Sequence, residues 1–155
     1  MAENAIAVIA CTADTAEDAV ALLIRFFREE GFDGSDAMLD GNLRAMLDDP
    51  NCWIGLAVDR GEAVGIATVT AMRDIEHGKL SEIGDLYVLP AARGKGMARR
   101  LIEAAIDWCS GAGCRAILVT VTPEGDRAHG LVEFYRRRGF AMTDRMIARL
   151  ALPDL

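Results

Sequence analysis

The chain has little histidine and little cysteine, and each shortage removes a class of chemistry. Its two histidines are His77 and His129, and no His, Cys or carboxylate cluster shows metal-ligand spacing, so no metal is expected. Cys11, Cys52, Cys109 and Cys114 form no C-x-x-C pair, which argues against a zinc ribbon or a redox dithiol. Three of them sit in apolar runs, where a thiol behaves as a small hydrophobe. With Cys114 standing outside those runs, the expectation is of buried, reduced cysteines in a cytosolic protein. Basic residues are outnumbered, 17 against 24 acidic ones, for a formal net charge of -7. Such a surface repels phosphate backbones and anionic lipid, so neither nucleic acid nor membrane is an expected partner. It attracts cations, protonated amines among them, although solubility alone accounts for many acidic surfaces.

No apolar run reaches membrane-spanning length, and Met1 to Ala10 lacks the basic start and long apolar stretch of a signal peptide. A soluble, cytoplasmic protein is therefore expected. There is no repeat, low-complexity tract or Pro/Ser-rich linker. With 155 residues and 52% hydrophobic content, enough for one proper core, residues 1–155 are read as a single domain.

What is present is a legible alternation of periods. Ile6 to Ala10 reads as a short strand, and Thr12 and Asp14 offer caps for a helix through Ala19, Leu22, Leu23, Phe26 and Phe27 that ends at Gly31. A second helix starts near Ser35 or Asp36, carries Leu39, Leu43, Met46 and Leu47, and closes before Pro50. Trp53 to Val58 and Ala63 to Met72 are β-rich runs joined by Asp59-Arg60-Gly61-Glu62, a hairpin turn by composition, and Lys79 to Val88 follows as a third. Met97, Leu101, Ile102, Ala105, Ile106 and Cys109 then form one helical stripe ending at Gly111 and Gly113. Ala116 to Thr122 is nearly continuously apolar, the mark of a strand buried on both faces. A helix around Leu131, Val132 and Tyr135 and one or two strands from Phe140 to Leu152 complete the chain. The class is α/β, a mixed and mostly antiparallel sheet flanked by helices.

The segment from Leu86 to Arg99 carries the chemistry: a strand, a short turn, then a helix opening on two glycines. A helix start leaves amides without intrahelical partners at the positive end of its dipole, where phosphate binds. Gly94 and Gly96 remove the Cβ atoms that would hold a diphosphate off those amides, and Arg93, Lys95 and Arg99 add positive charge. Neither the G-x-x-x-x-G-K-[ST] loop nor the three-glycine dinucleotide fingerprint is present. The plain rival is a glycine-eased strand-to-helix turn.

The stretch resembles the GNAT acyltransferases, whose hallmark R/Q-x-x-G-x-G/A is matched by Arg93, Gly96 and Ala98 after the strand Leu86-Tyr87-Val88. A second hallmark, an aromatic-rich helix end running into Gly-Phe, is matched by Phe134-Tyr135-Arg136-Arg137-Arg138-Gly139-Phe140. The element order agrees along the whole chain, the first half in pattern rather than in motif. The resemblance implies acetyl-CoA as cosubstrate, its pantetheine arm beside the fourth strand where a bulge splays it from the fifth. The thioester carbonyl would meet backbone N–H near Val88, and the diphosphate would sit on amides from Gly94 to Ala98. The cofactor-binding residues so implied are Leu86, Tyr87, Val88, Arg93, Gly94, Lys95, Gly96, Met97, Ala98 and Arg99. Transfer would be direct attack by a neutral amine.

Direct attack needs a base for the amine and a donor for the leaving thiolate. Tyr135 resembles the family tyrosine near the cofactor sulfur and is the candidate acid; its rival reading is a packing tyrosine. Glu82 is the candidate base, directly or through water. It lies six residues before Val88, so alternation puts both on one face, and by its distance from Arg93 it resembles the catalytic glutamate of histone-type members. Asp85 points to the opposite face unless a bulge re-aims it. His77 and His129, each beside a glycine, read as solvated loop residues. Where many members carry Asn seven residues before the tyrosine, Ala128 stands here, which leaves the hold on the cofactor's middle and the acyl preference open.

In this family the acceptor is chosen by the loop between the first two helices and by the last strands, here Arg28 to Asp36 and Met142 to Met146. Glu29, Glu30, Asp33 and Asp36 in that loop favour a small cationic amine, polyamine-like or aminoglycoside-like, or serve only as caps and solvated charge. A protein N-terminus or lysine stays open as acceptor, as does a non-catalytic acyl-CoA sensor. A homodimer would use the C-terminal strands or exposed Met and Trp side chains.

Overall fold

The computed structural model describes residues 6–154; the leader reading of Met1 to Ala5 lies outside them. The chain divides into two compact units, Met1–Val119 and Thr120–Leu155.

The first unit holds one five-stranded sheet in the order β1 (Ala7–Ala10), β2 (Cys52–Asp59), β3 (Glu62–Met72), β4 (Leu80–Val88), β5 (Ala116–Val119). Neighbours are antiparallel from β1 to β4, and β5 runs parallel to β4. Arg60 and Gly61, at φ 52° and 80°, give the β2–β3 link the left-handed pair that a two-residue hairpin needs. Helix α1 (Ala16–Glu30) buries Ala16, Ala19, Val20, Leu22 and Leu23 and ends on Gly31 at φ 70°, whose N–H reaches the carbonyls of Arg28 and Phe27. Helix α2 (Asp36–Leu47) is capped by the Ser35 hydroxyl, which accepts from the Met38 amide. On this side of the sheet Leu22, Leu23 and Leu43 join Ile54, Leu56, Ile66 and Tyr87. Helix α3 (Met97–Gly111) covers the other face, where Met97 and Leu101 join Ala57, Ala67 and Val88. The mixed, mostly antiparallel sheet with flanking helices is as the sequence indicates.

One irregularity re-aims the site. The β3–β4 register runs Thr70↔Glu82 and Val69↔Ile83, then Thr68↔Asp85, leaving Gly84 as an extra residue on β4. A bulge of this kind reverses the alternation beyond it. Glu82 and Asp85 consequently share the α1–α2 face, while Val88 belongs to the α3 cluster. The expectation that Glu82 and Val88 share a face is thereby corrected, while Asp85, read as opposite unless a bulge re-aims it, is re-aimed by this one.

Burial on both faces of β5 is also corrected. The strand ends at Val119, three residues short of Thr122, and Leu118 is 48% exposed; among the described residues the strand pairs with β4 alone. The cysteines differ from expectation as well: all four are free, but of them Cys109 is buried while Cys11, Cys52 and Cys114 are half-buried.

The second unit contains α4 (Pro123–His129) and α5 (Leu131–Arg136), which share Gly130, at φ 62°, as cap. Helix α4 is not among the elements read from the sequence, although Thr122, whose hydroxyl accepts from the Gly125 amide, and Pro123 at the first turn are its start signals. The strands expected from Phe140 to Leu152 do not form among the described residues. A strand exists only by pairing with another, and this segment finds no ladder. Met146, Ile147, Leu150 and Leu152 stand exposed, so a dimer surface built on C-terminal strands has no strands to rest on.

Candidate active site

The end of β4 is where backbone geometry and side chains converge. The Leu89 amide donates to the Val64 carbonyl at 2.8 Å, and the register pairs Tyr87 with Ile66 and Asp85 with Thr68. In an antiparallel ladder the bonding direction alternates along the strand. Residues 85, 87 and 89 thus bond toward β3, and the N–H and C=O of Leu86 and Val88 point the other way. On that other side β5 pairs only with Leu80 to Ile83. From Gly84 to Val88, then, β4 has no strand partner there among the described residues, and its polar backbone is presented to whatever lies alongside. The Val88 carbonyl accepts from Arg93 Nε at 3.0 Å.

Directly after this stretch a short 3-10 turn (Pro90–Ala92) leads to Gly94 and Gly96, at φ 81° and 78°. Both conformations favour glycine, and a Cβ added at either position would meet no atom within 4 Å. The space above the chain is therefore open. Gly96 caps α3, and the Arg100 amide makes the helix's first bond, to the Gly96 carbonyl at 3.1 Å. The amides of Met97, Ala98 and Arg99 precede that bond and form the positive end of a 15-residue helix. Met97 is buried, anchoring the helix start to the sheet.

The charges around this cradle are partly committed. Lys95 Nζ stands 4.0 Å from Asp59 Oδ2, and Arg99 lies 3.4 Å from Glu103 one helical turn on, both largely exposed. Arg93 is tied more firmly: besides Val88 its Nη2 donates to Glu29 Oε1 at 2.7 Å, and its guanidinium lies 5.7 Å from the centre of the Tyr87 ring. The Tyr87 hydroxyl donates to Glu29 Oε2 at 2.7 Å. Burial raises the Tyr87 phenol's pKa, and the adjoining Glu29 raises it further. Of the four carboxylates counted in the acceptor loop, Glu29 is thus bound to β4 and Arg93, and Asp36 pairs with Arg28 at 2.9 Å.

On the α1–α2 face Glu82 lies opposite Thr70, and Asp85 accepts from the buried Thr68 hydroxyl at 2.6 Å. Burial pushes the Asp85 carboxyl above its ordinary value, against the opposing pull of Thr68. Burial likewise raises Cys11, Cys52 and Cys109 above the ordinary thiol range, which keeps them thiols and poor nucleophiles.

Tyr135 stands in α5 of the second unit, 3% exposed, its ring edge-on to Phe134 and Phe140 at 5.1 and 5.3 Å. Desolvation pushes its phenol up to about 12, with Arg138 working the other way. Ala128 falls in α4 and is exposed. Of the two histidines read as loop residues, His77 lies in the turn between β3 and β4 while His129 falls in a helix. His129 sits in the last turn of α4, and His77 is held by Asp74, whose Oδ1 accepts from the His77 amide at 2.7 Å while Oδ2 lies 2.8 Å from Nδ1. With Glu76 these two form a group whose ligand atoms lie within 4.8 Å of one another. That corrects the reading that no cluster has ligand spacing, and the Asp74–His77 bonds account for the approach. No described helix is long and apolar enough to cross a membrane.

Against known proteins, residues 16–140 match the family model for the acetyltransferase (GNAT) family, a span that takes in parts of both units. The chain is 29% identical over 96 residues to aminoglycoside N(6')-acetyltransferase type 1 of Salmonella typhimurium, covering 59% of this chain and 64% of that protein's length. It is 29% identical over 124 residues to an uncharacterized N-acetyltransferase, YhfO, of Bacillus subtilis, covering 79% of this chain and 82% of the relative. In fold it is similar to the aminoglycoside N-acetyltransferase AAC(6')-Iy solved in complex with CoA, at a TM-score of 0.84 and 20% identity over 96% of each chain. The match spans most of the sheet, the glycine-opened helix start and the Tyr135 helix, and the chain belongs to the GNAT family of acetyltransferases.

Proposed function

We propose that the protein transfers the acetyl group of acetyl-CoA to a primary amine by direct attack. The observation that carries this reading is the continuity of two backbone features: the unpaired side of β4 from Gly84 to Val88 leads straight to the helix start opened by Gly94 and Gly96. The first suits an extended amide-bearing arm and the second a diphosphate, which follow one another in coenzyme A. Leu86, Tyr87 and Val88 would line the arm, and residues 93–99 the diphosphate. The amine nitrogen forms its bond to the thioester carbon, the Val88 N–H supports the carbonyl oxygen as it gains charge, and the C–S bond then breaks to release thiolate.

Glu82 is proposed to take the amine's proton. Asp85 is a second reading, favoured because the Gly84 bulge turns it to the Glu82 face and because its raised carboxyl lies closer to a working pH. Tyr135 is proposed as donor to the leaving sulfur. We read residues 1–155 as one acetyltransferase domain, since the family match includes residues from both units.

For the acceptor we propose a small cationic amine, as the relatives' aminoglycoside activity and the net charge of -7 suggest. The loop carboxylates support it less than their number implies, since Glu29 and Asp36 already hold arginines. The test is incubation with acetyl-CoA and a panel of polyamines, aminoglycosides, lysine peptides and free N-terminal peptides, following free thiol and product mass. Thiol release with a small cationic amine is expected. Release only with peptides would move the acceptor class, and acetyl-CoA binding without release on every amine would leave an acyl-CoA sensor.

A further inference from the structure

Glu29 is counted by sequence among the carboxylates that greet an acceptor, yet its two oxygens are taken by Arg93 and Tyr87, at 2.7 Å each. Arg93 opens the cradle, and Glu29 sits in the last turn of α1, two residues before the Gly31 cap where the α1–α2 loop begins. A second line of contact runs beside the first. Phe26 stacks on Tyr87 at 5.2 Å, and Phe32, in the loop, meets Phe26 and Phe27 edge-on at 5.5 Å. The loop is therefore fastened to β4 at its root, and one of its fastenings is a cation at the first position of the proposed diphosphate site.

We infer that Glu29 is a positioning residue that couples cofactor binding to the acceptor loop through its ion pair with Arg93. A ligand shifts a conformation only through an interaction that differs between the two states, and Arg93 supplies that difference. Its guanidinium is half-exposed, as is the Glu29 carboxylate, with side chains 37% and 32% accessible; a pair in that setting is a weak tie. A diphosphate on the amides of residues 94–98 brings a second, stronger anion next to the same cation, and guanidinium favours phosphate oxygens in a forked geometry. The diphosphate draws on Arg93, Glu29 keeps the Tyr87 hydroxyl but loses its ion pair, and the last turn of α1 and the Phe32 loop loosen. Coupling is reciprocal, so an acceptor that needs the loosened loop binds better after the cofactor. The inference rests on the coenzyme A reading of the cradle.

The experiment is hydrogen exchange over peptides covering Phe26 to Asp36, with and without CoA, on the wild type and on Glu29→Gln, together with the CoA dissociation constant of each. In the wild type CoA is expected to speed exchange in this stretch at least about twofold, a measurement that depends on no variant. Glu29→Gln should exchange fast at the outset, show no further response, and bind CoA up to about fivefold tighter because the competitor for Arg93 has lost its charge. A residue of merely structural value would instead weaken CoA binding when altered. Slower or unchanged wild-type exchange on CoA binding, or weaker CoA binding by Glu29→Gln, overturns the coupling. A wild type that binds no CoA overturns the acyltransferase reading itself, which separates the two failures.

Discussion

Burial raises both Tyr135 and Asp85, and the same shift has opposite uses in a phenol and a carboxylic acid. A phenol at about 12 is fully protonated at working pH, but it lies about 3.5 units above an ordinary thiol, so handing its proton to a thiolate is uphill by about 5 kcal/mol. Tyr135 is better suited to donate a hydrogen bond to the sulfur than to surrender its proton; the thiolate leaves as such, and the one proton that the attacking nitrogen loses to the base balances it in solution. Losing a hydrogen bond to a charged group is worth about 1.5–3 kcal/mol. Tyr135→Phe should therefore lower kcat by about 10-fold or more, leave the KM for acetyl-CoA in place, and not displace the pH–rate profile between about pH 6 and 9. An unchanged kcat would remove the residue from the mechanism.

For Asp85 the raised carboxyl means that the folded chain holds the proton more tightly than the unfolded one. Its contribution to stability is complete below the ordinary value of 3.8 and is lost as pH rises through the raised folded value. Asp85→Asn removes that dependence while keeping an acceptor for the Thr68 hydroxyl. Melting temperatures across about pH 4 to 7 should show the variant gaining on the wild type as pH rises. Parallel curves would mean that the carboxyl is not perturbed. The sequence reads Asp85 as facing away unless a bulge re-aims it, and does not say where such a bulge falls. Its orientation depends on one unpaired glycine, Gly84, and a bulge is a fact about two strands that neither strand's own pattern records.

At the level of elements, local signals were read best. The Gly31 and Ser35 caps, the Arg60-Gly61 turn and the α3 stripe are chemistries of adjacent residues, and they reappear where spacing put them. The glycine pair before α3 is the element on which the proposed activity leans most. At φ 78° an L side chain at residue 96 costs about 1–2 kcal/mol of backbone strain, and since a Cβ there meets nothing within 4 Å, the cost is conformational rather than a clash. Gly96→Ala is expected to lower the melting temperature by about 2–8 °C. Its effect on CoA should be larger, with affinity falling at least about 10-fold as the methyl and the shifted amides disturb the cradle. Equal affinity in variant and wild type, measured by calorimetry, would show that the diphosphate does not sit there.

At the scale of the molecule, the sequence announced less. Apolar content from Phe140 to Leu152 suggested strands, but pairing requires an available edge elsewhere in the chain, and a window of residues carries no record of that edge. The continuous apolar run of β5 likewise carries no record of what covers each face, and Leu118 is left exposed. Cysteine and charge counts name surface tendencies but not partners: Glu29 and Asp36 look like free anions in the sequence and are held by arginines 64 and eight positions away, respectively.

The side of β4 that has no strand partner among the described residues between Gly84 and Val88 has one more consequence. A ladder that stops short can be continued by a molecule that is not protein, and each amide of an extended ligand laid in that notch then counts toward the cohesion of the sheet. The melting temperature of this chain should therefore be a function of how much coenzyme surrounds it, and heat resistance a reading of metabolic supply as much as of sequence.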